Sequence, residues 1–142
     1  MRGFEILEGY ENCGINLPTR RTAFSAGYDL EAAEDVLVSD KKVSLVPTGL
    51  KAFMLPDEVL LIYIRSSLAV KHNLIFANGV GVIDADYKDH IILPMISFAG
   101  EFEIKKGMRV AQGIFQKYFP ADGDEIGVGA KRSGRFGSTG NF

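Results

Sequence analysis

The sequence predicts an all-β fold, a barrel or a jelly-roll sandwich, with one short helix and a flexible C-terminal arm. Three observations predict it. Short apolar, β-branched runs recur along the chain, separated by turn formers such as Ser39-Asp40-Lys41-Lys42, Pro47-Thr48-Gly49 and Leu55-Pro56-Asp57-Glu58; runs at this spacing pack as barrels or sandwiches. Only Ser66-Ser-Leu-Ala-Val-Lys-His72 reads as helix, with helix formers after two serines able to cap its start. After Pro120 the composition shifts to Gly, Asp, Ser and Arg, so the core is expected to end near residue 119, leaving 120–142 as a mobile arm.

Taken in order, Phe4-Glu-Ile-Leu7 is the first expected strand, and Gly14 to Ser25, with Pro18, Arg20 and Arg21, is a connector. If Ala26-Gly-Tyr-Asp-Leu30 is extended, Tyr28 and Leu30 share a face and Asp29 points oppositely. Strands are expected at Val36–Val38, Val43–Val46, Leu50–Phe53 and Val59–Ile64, then beyond the helix at Leu74–Phe76 and Gly79–Ile83. His90–Phe98 and Phe102–Ile104 are expected to flank a hairpin turn at Ala99-Gly100-Glu101, and Met108–Tyr118 is the last strand.

A chain of 142 residues is expected to be one domain. Its net charge of −2 argues against broad electrostatic binding to nucleic acid, although Lys131, Arg132 and Arg135 crowd the tail. Cys13 stands alone, which excludes an intrachain disulfide and fits a reducing compartment, and His72 and His90 form no zinc pattern. The first ten residues carry Arg2, Glu5 and Glu8 instead of an apolar signal core. No apolar run approaches the roughly 18 residues of a membrane span. A cytoplasmic location without membrane contact is therefore expected.

Five fragments carry polar chemistry. Asp29 could order a metal-bound water or a basic group, or face solvent. Ile64-Arg-Ser-Ser-Leu-Ala69 joins a strand end to the helix start, where free N–H groups, two hydroxyls and Arg65 suit an anion. In Asn78-Gly-Val-Gly-Val-Ile-Asp-Ala-Asp-Tyr87, Val80, Val82 and Ile83 call for burial, whereas Asp84 and Asp86 do not. Gly79 and Gly81 there would admit a close backbone or a flat ligand. Gly107-Met-Arg-Val-Ala-Gln112 places Gln112, which needs donor and acceptor partners, among apolar residues. Lys131-Arg-Ser-Gly-Arg-Phe-Gly-Ser-Thr-Gly140 combines phosphate-cradling glycines and hydroxyls with Phe136, able to stack on a base.

In this order the fragments resemble the five motifs of the homotrimeric dUTPase family, over nearly the whole chain. The resemblance implies hydrolysis of dUTP to dUMP and pyrophosphate, which controls dUTP and supplies dUMP for thymidylate synthesis. It also implies a jelly-roll-like distorted β-barrel, a homotrimer with shared active sites, and Mg2+ held by the triphosphate and waters, with no direct protein ligand and Asp29 ordering the water shell. By match to the motifs, Asp84 would be the general base. Asn78, with the backbone of Gly81, Val82 and Ile83, would read uracil, and Tyr87 would pack under the deoxyribose and exclude a 2′-hydroxyl. Arg65, Ser66, Ser67 and Gln112 would hold phosphates. Phe136, on an arm from another subunit, would stack over uracil, while Arg132 or Lys131, with Gly137, Ser138 and Thr139, grips the terminal phosphates.

Asp86 is expected to be structural. The chain departs from the pattern at Ile64, Ser67, Lys88-Asp89-His90, Lys131-Arg132 and Arg135. Two alternatives are a dCTP deaminase-like enzyme of the same fold, which shares an Arg-Ser-Ser segment, and a nucleotide-switched regulatory protein.

Overall fold

The structure, a computed structural model, describes residues 1–137 and 139–141. Its strands are β1 (Gly3–Ile6), β2 (Tyr28–Glu31), β3 (Val36–Val38), β4 (Ser44–Pro47), β5 (Leu50–Phe53) and β6 (Glu58–Ile64). Helix α1 (Ser66–His72) follows, then β7 (Leu74–Phe76), β8 (Gly81–Asp84), β9 (Ile92–Ser97), β10 (Phe102–Ile104) and β11 (Arg109–Lys117). Among the described residues the fold is all-β with a single short helix, as expected.

The strands pair antiparallel in two larger sheets, ordered β2-β11-β6-β8 and β4-β9-β7, and two pairs, β1-β5 and β3-β10. Among the described residues these ladders do not join into one closed barrel. Alternation sorts each strand: along β9, Leu93, Met95 and Ser97 are buried while Ile92, Pro94 and Ile96 are half-buried. Leu30, Leu60, Leu74, Met95, Ile104 and Val110 are fully enclosed in one core. Burying a side chain of this size contributes about 1.5–3 kcal/mol.

Three expectations are corrected. Ala99-Gly100-Glu101 does turn, with Gly100 at φ 79°. It does not close a hairpin, because β9 pairs with β4 and β7 while β10 pairs with β3. The serines do not cap α1. Arg65 is the N-cap, extended at φ −69° and ψ 136° with no side-chain cap bond, and its carbonyl receives the N–H groups of Leu68 and Ala69 at 3.0 and 3.2 Å. Ser66 and Ser67 are already helical, one step too late to cap. The helix ends on Asn73, whose left-handed φ of 58° is one that asparagine tolerates.

The third correction concerns β8, which begins at Gly81 instead of Gly79. Phe76–Gly79 first turns, the Gly79 N–H reaching the Phe76 carbonyl at 3.0 Å.

Candidate active site

The turn before β8 explains its two glycines separately. Gly79 sits at φ 74°, and a Cβ there would meet nothing within 4 Å, so its backbone conformation is what requires glycine. A Cβ on Gly81 would lie 3.2 Å from the Ile62 Cβ across the β6–β8 ladder. The close neighbour there is the Ile62 side chain, and Gly81 also lines the cleft described below.

Among the described residues β8 is an edge strand paired only with β6, so its other edge has no ladder partner. Val80 and Val82, both expected to be buried, are 36% and 59% exposed, whereas Ile83 packs partly buried against the core. Asp84 ends the strand on the Val82 face, and its carbonyl accepts the Tyr87 N–H at 3.0 Å. The resulting tight turn presents Asp84 and Asp86 side by side.

A cleft of about 150 Å³ opens beside this turn. Asn78, Gly81, Val82, Ile83 and Tyr87 line it, with Ile62, Phe76, His90 and Pro94 completing the walls. Arm residues Arg132, Arg135, Phe136, Gly137 and Thr139 lie on it as well. Asp84 is not a lining residue: it stands at the rim, joined to the cleft through Arg132. Ser138 lies outside the described residues. Lys131 does not line the cleft, so of the two candidate cations the structure brings Arg132 there.

Arg132 binds both carboxylates, meeting Asp86 Oδ1 at 2.9 Å through Nε and Asp84 Oδ2 through Nη2. Its guanidinium carbon also lies 5.8 Å from the centre of the Tyr87 ring. The bond to Asp86, chiefly, holds Arg132 more firmly protonated than an ordinary arginine. Arg135 pairs with Asp89 at 3.4 Å. In this single chain the arm therefore lies over its own cleft, where the resemblance implied an arm from another subunit. Among the described residues, Asp84, Asp86 and Asp89 are the carboxylates that its cations meet.

Tyr87 is held from below. Its hydroxyl donates to the His90 carbonyl at 2.6 Å, and burial pushes the phenol above its ordinary pKa.

A second cluster gathers the remaining expected residues. Asp29, its side chain 15% exposed, faces Arg21 and Arg109 at 3.3 Å and Arg65 at 4.0 Å. Gln112 stands beside Asp29 in the β2–β11 ladder. A Cβ on Gly27 would fall 2.6 Å from Gln112 Oε1, so glycine in Ala26-Gly-Tyr makes room for that amide. Arg65 Nη1 donates to the Arg109 carbonyl at 3.2 Å, and Ser66 and Ser67 follow it into α1. None of Asp29, Arg65, Ser66, Ser67 or Gln112 lines the cleft. Three guanidiniums around one carboxylate leave excess positive charge suited to phosphate oxygens.

Sequence reading missed three participants. Arg21 and Arg109, companions of Asp29, carried no role, and His90 read as a lone histidine. The phosphate-like Gly107–Gln112 fragment could have flagged Arg109; no local signal marked the other two.

Sheet order, cleft and cationic arm define a class of protein, an all-β chain with a cleft edged by carboxylates and cations. Comparison narrows the class. A model of the dUTPase family matches residues 14–140. The deoxyuridine 5′-triphosphate nucleotidohydrolase of Lactococcus lactis is 48% identical over 147 residues, covering 99% of this chain and 98% of that one. The Rickettsia felis enzyme of the same name is 42% identical over 94% of this chain and 95% of its own. Among solved structures, the dUTPase of Streptococcus mutans aligns with a TM-score of 0.79 at 41% identity, covering 85% of this chain and 99% of that one. A dUTPase from phage phi11 of S. aureus, whose structure describes a structural Mg(II) ion, aligns at 0.76 with 18% identity over 90% of this chain and 97% of that one, which shows the fold alone.

The chain belongs to the dUTPase family. Hydrolysis of dUTP is its activity.

Proposed function

We propose that the chain cleaves dUTP to dUMP and pyrophosphate with Asp84 as the general base, Mg2+ as cofactor, and an active site shared between copies of a homotrimer. The observation that carries this is the cleft itself: an aromatic-floored slot with an acid at its rim and the glycine-rich arm across its mouth.

In this reading the backbone of β8 and Asn78 hold the uracil edge, and a base-edge site rejects cytosine because its donors and acceptors are left unpaired. Tyr87 lies under the deoxyribose and leaves no room for a 2′-hydroxyl. Asp84 takes the proton of the attacking water, a contribution of about 10²–10⁴-fold. Phe136 stacks on the base as the arm, residues 120–142 beyond a core unit of 1–119, closes.

The phosphate ligands favour a shared site. Arg65, Ser66, Ser67 and Gln112 stand off the cleft at whose rim Asp84 lies, so a neighbouring copy bringing its Asp29–Arg65–Gln112 cluster to this cleft completes the set. Exposed Leu45 and Ile75, on one sheet with β9, favour association of copies. Substrate phosphates would then draw Arg132 away from Asp84, and closure by a neighbour's arm would replace the contact made within the chain.

The donor chemistry also fits the cofactor. Guanidiniums suit phosphate oxygens, and Asp29, a hard oxygen donor among them, suits a water of the Mg2+ shell. When bound, the ion neutralises charge on the triphosphate. Among the described residues no helix is long and apolar enough to cross a membrane, and a cytoplasmic location accords with a role in keeping dUTP low and supplying dUMP.

Pyrophosphate release from dUTP, dTTP, dCTP and UTP with Mg2+ tests the reading. Release from dUTP alone is expected; ammonia from dCTP would transfer the chain to the deaminase alternative.

A further inference from the structure

His90 is 7% exposed and stands in Lys88-Asp89-His90, just beyond Tyr87. Its ring is not spare packing. Nε2 accepts the Gly49 N–H at 2.9 Å, and the ring packs against Tyr10 at 5.0 Å between centroids. An Nε2 that accepts is unprotonated, so the imidazole is the neutral tautomer with its hydrogen on Nδ1.

The turn that His90 grips is rigid. Gly49 has φ 69°, and a Cβ there would lie 2.8 Å from Tyr10 Cδ1, so neither its conformation nor its surroundings admit a side chain. Thr48 Oγ1 donates to the Ile91 carbonyl at 2.6 Å, and Ile91 N–H donates to Leu50 at 2.8 Å. His90 is thereby clamped to the Pro47–Leu50 turn by its own ring and by the backbone of its neighbour. On its other side, the His90 carbonyl receives the Tyr87 hydroxyl at 2.6 Å, and both residues line the cleft.

We propose that His90 is a positioning residue for sugar discrimination: its neutral imidazole, locked to Gly49, fixes the carbonyl that sets the plane of Tyr87 and so the room left at the 2′ position. This rests on Tyr87 lying under the deoxyribose.

Protonation would place an N–H donor against the Gly49 N–H and break the lock. The titratable and charged groups bearing on the ring are Tyr10, Glu34, Asp89 and Arg135. Burial, the largest influence, pushes the imidazole below its ordinary pKa, which keeps the lock made at neutral pH.

The test compares the wild type with His90→Phe, which keeps a ring without an acceptor, and His90→Gln, which supplies an acceptor that does not titrate. The readouts are the ratio of kcat/KM for dUTP to that for UTP, measured across pH, and thermal midpoints. His90→Phe is expected to lower the ratio about tenfold, the effect of one lost buried hydrogen bond. His90→Gln is expected to keep the ratio and to abolish its fall on acidification. A His90→Phe protein that folds and retains the wild-type ratio would overturn the proposal. So would the same acid-side fall in His90→Gln, a comparison that stands even where the phenylalanine variant does not fold. A wild type that shows no preference for dUTP over UTP would instead overturn the placing of Tyr87 under the deoxyribose.

Discussion

Replacing Asp84 by asparagine separates chemistry from stability, and the structure sets both magnitudes. The Asp84 side chain is 51% exposed and its partner is Arg132 on the arm, so the lost ion pair is solvent-screened and costs about 0–1 kcal/mol. Asparagine preserves the shape at the end of β8, and Arg132 keeps Asp86 at 2.9 Å. The thermal midpoint should therefore hardly move. Losing the base should lower kcat by about 10²–10⁴-fold, equivalent to about 3–5 kcal/mol of transition-state stabilisation. Binding of dUTP should persist, since the carboxylate is not a lining residue of the cleft. The assay is pyrophosphate release with Mg2+ beside a thermal melt, with Asp86→Asn as control. Asp86→Asn should lose only a contact to the arm and stay within a few-fold of wild type, on the order of a screened surface pair. Near wild-type turnover in Asp84→Asn, or equal losses in the two variants, would refute the assignment of the base.

Phe136, 66% exposed, should when changed to alanine lower turnover without shifting the thermal midpoint; a marked loss of stability would place the arm in the core. Mixing Asp84→Asn with Gln112→Ala chains under conditions that exchange subunits should restore activity if sites are shared, because some sites then inherit both intact clusters; no recovery in mixed assemblies would confine each site to one chain. Leu60→Ala empties a fully enclosed position in β6, whose Cδ1 lies 3.0 Å from where a Cβ on Gly113 would fall. Chemical denaturation should show a loss of about 2–5 kcal/mol, and a smaller loss would mean that the core collapses around the gap. Because the folded pKa of His90 lies below its ordinary 6.5, the unfolded chain takes up that proton first. The stability it confers is complete above about 6.5 and is lost as pH falls toward the folded value. Thermal midpoints followed across this window should fall less in His90→Gln, and an equal fall would assign the effect to other groups.

The polar segments show what was legible. Helix α1 was readable to the residue, because Leu68-Ala69 and a Lys71-His72 last turn are local statements about helix formation. Its cap was not, since whether Arg65 or a serine begins the helix depends on how β6 leaves its pairing with β11. β8 was placed two residues early because alternating glycine and valine fit a strand, while Gly79 is committed to a turn.

From the sequence alone came the all-β class, the order of the polar fragments and the residue types that each carries. Those signals are local: periodicity two, turn formers and motif spacing. The tertiary structure decided which fragments meet. It drew Asn78–Tyr87 and the arm to one cleft, and it left Asp29, Arg65 and Gln112 in a separate cluster. It also joined His90 to Gly49, 41 residues away, and Arg132 to Asp84, 48 residues away. Contacts over such separations arise from strand pairing and loop closure, and no window of neighbouring residues encodes them.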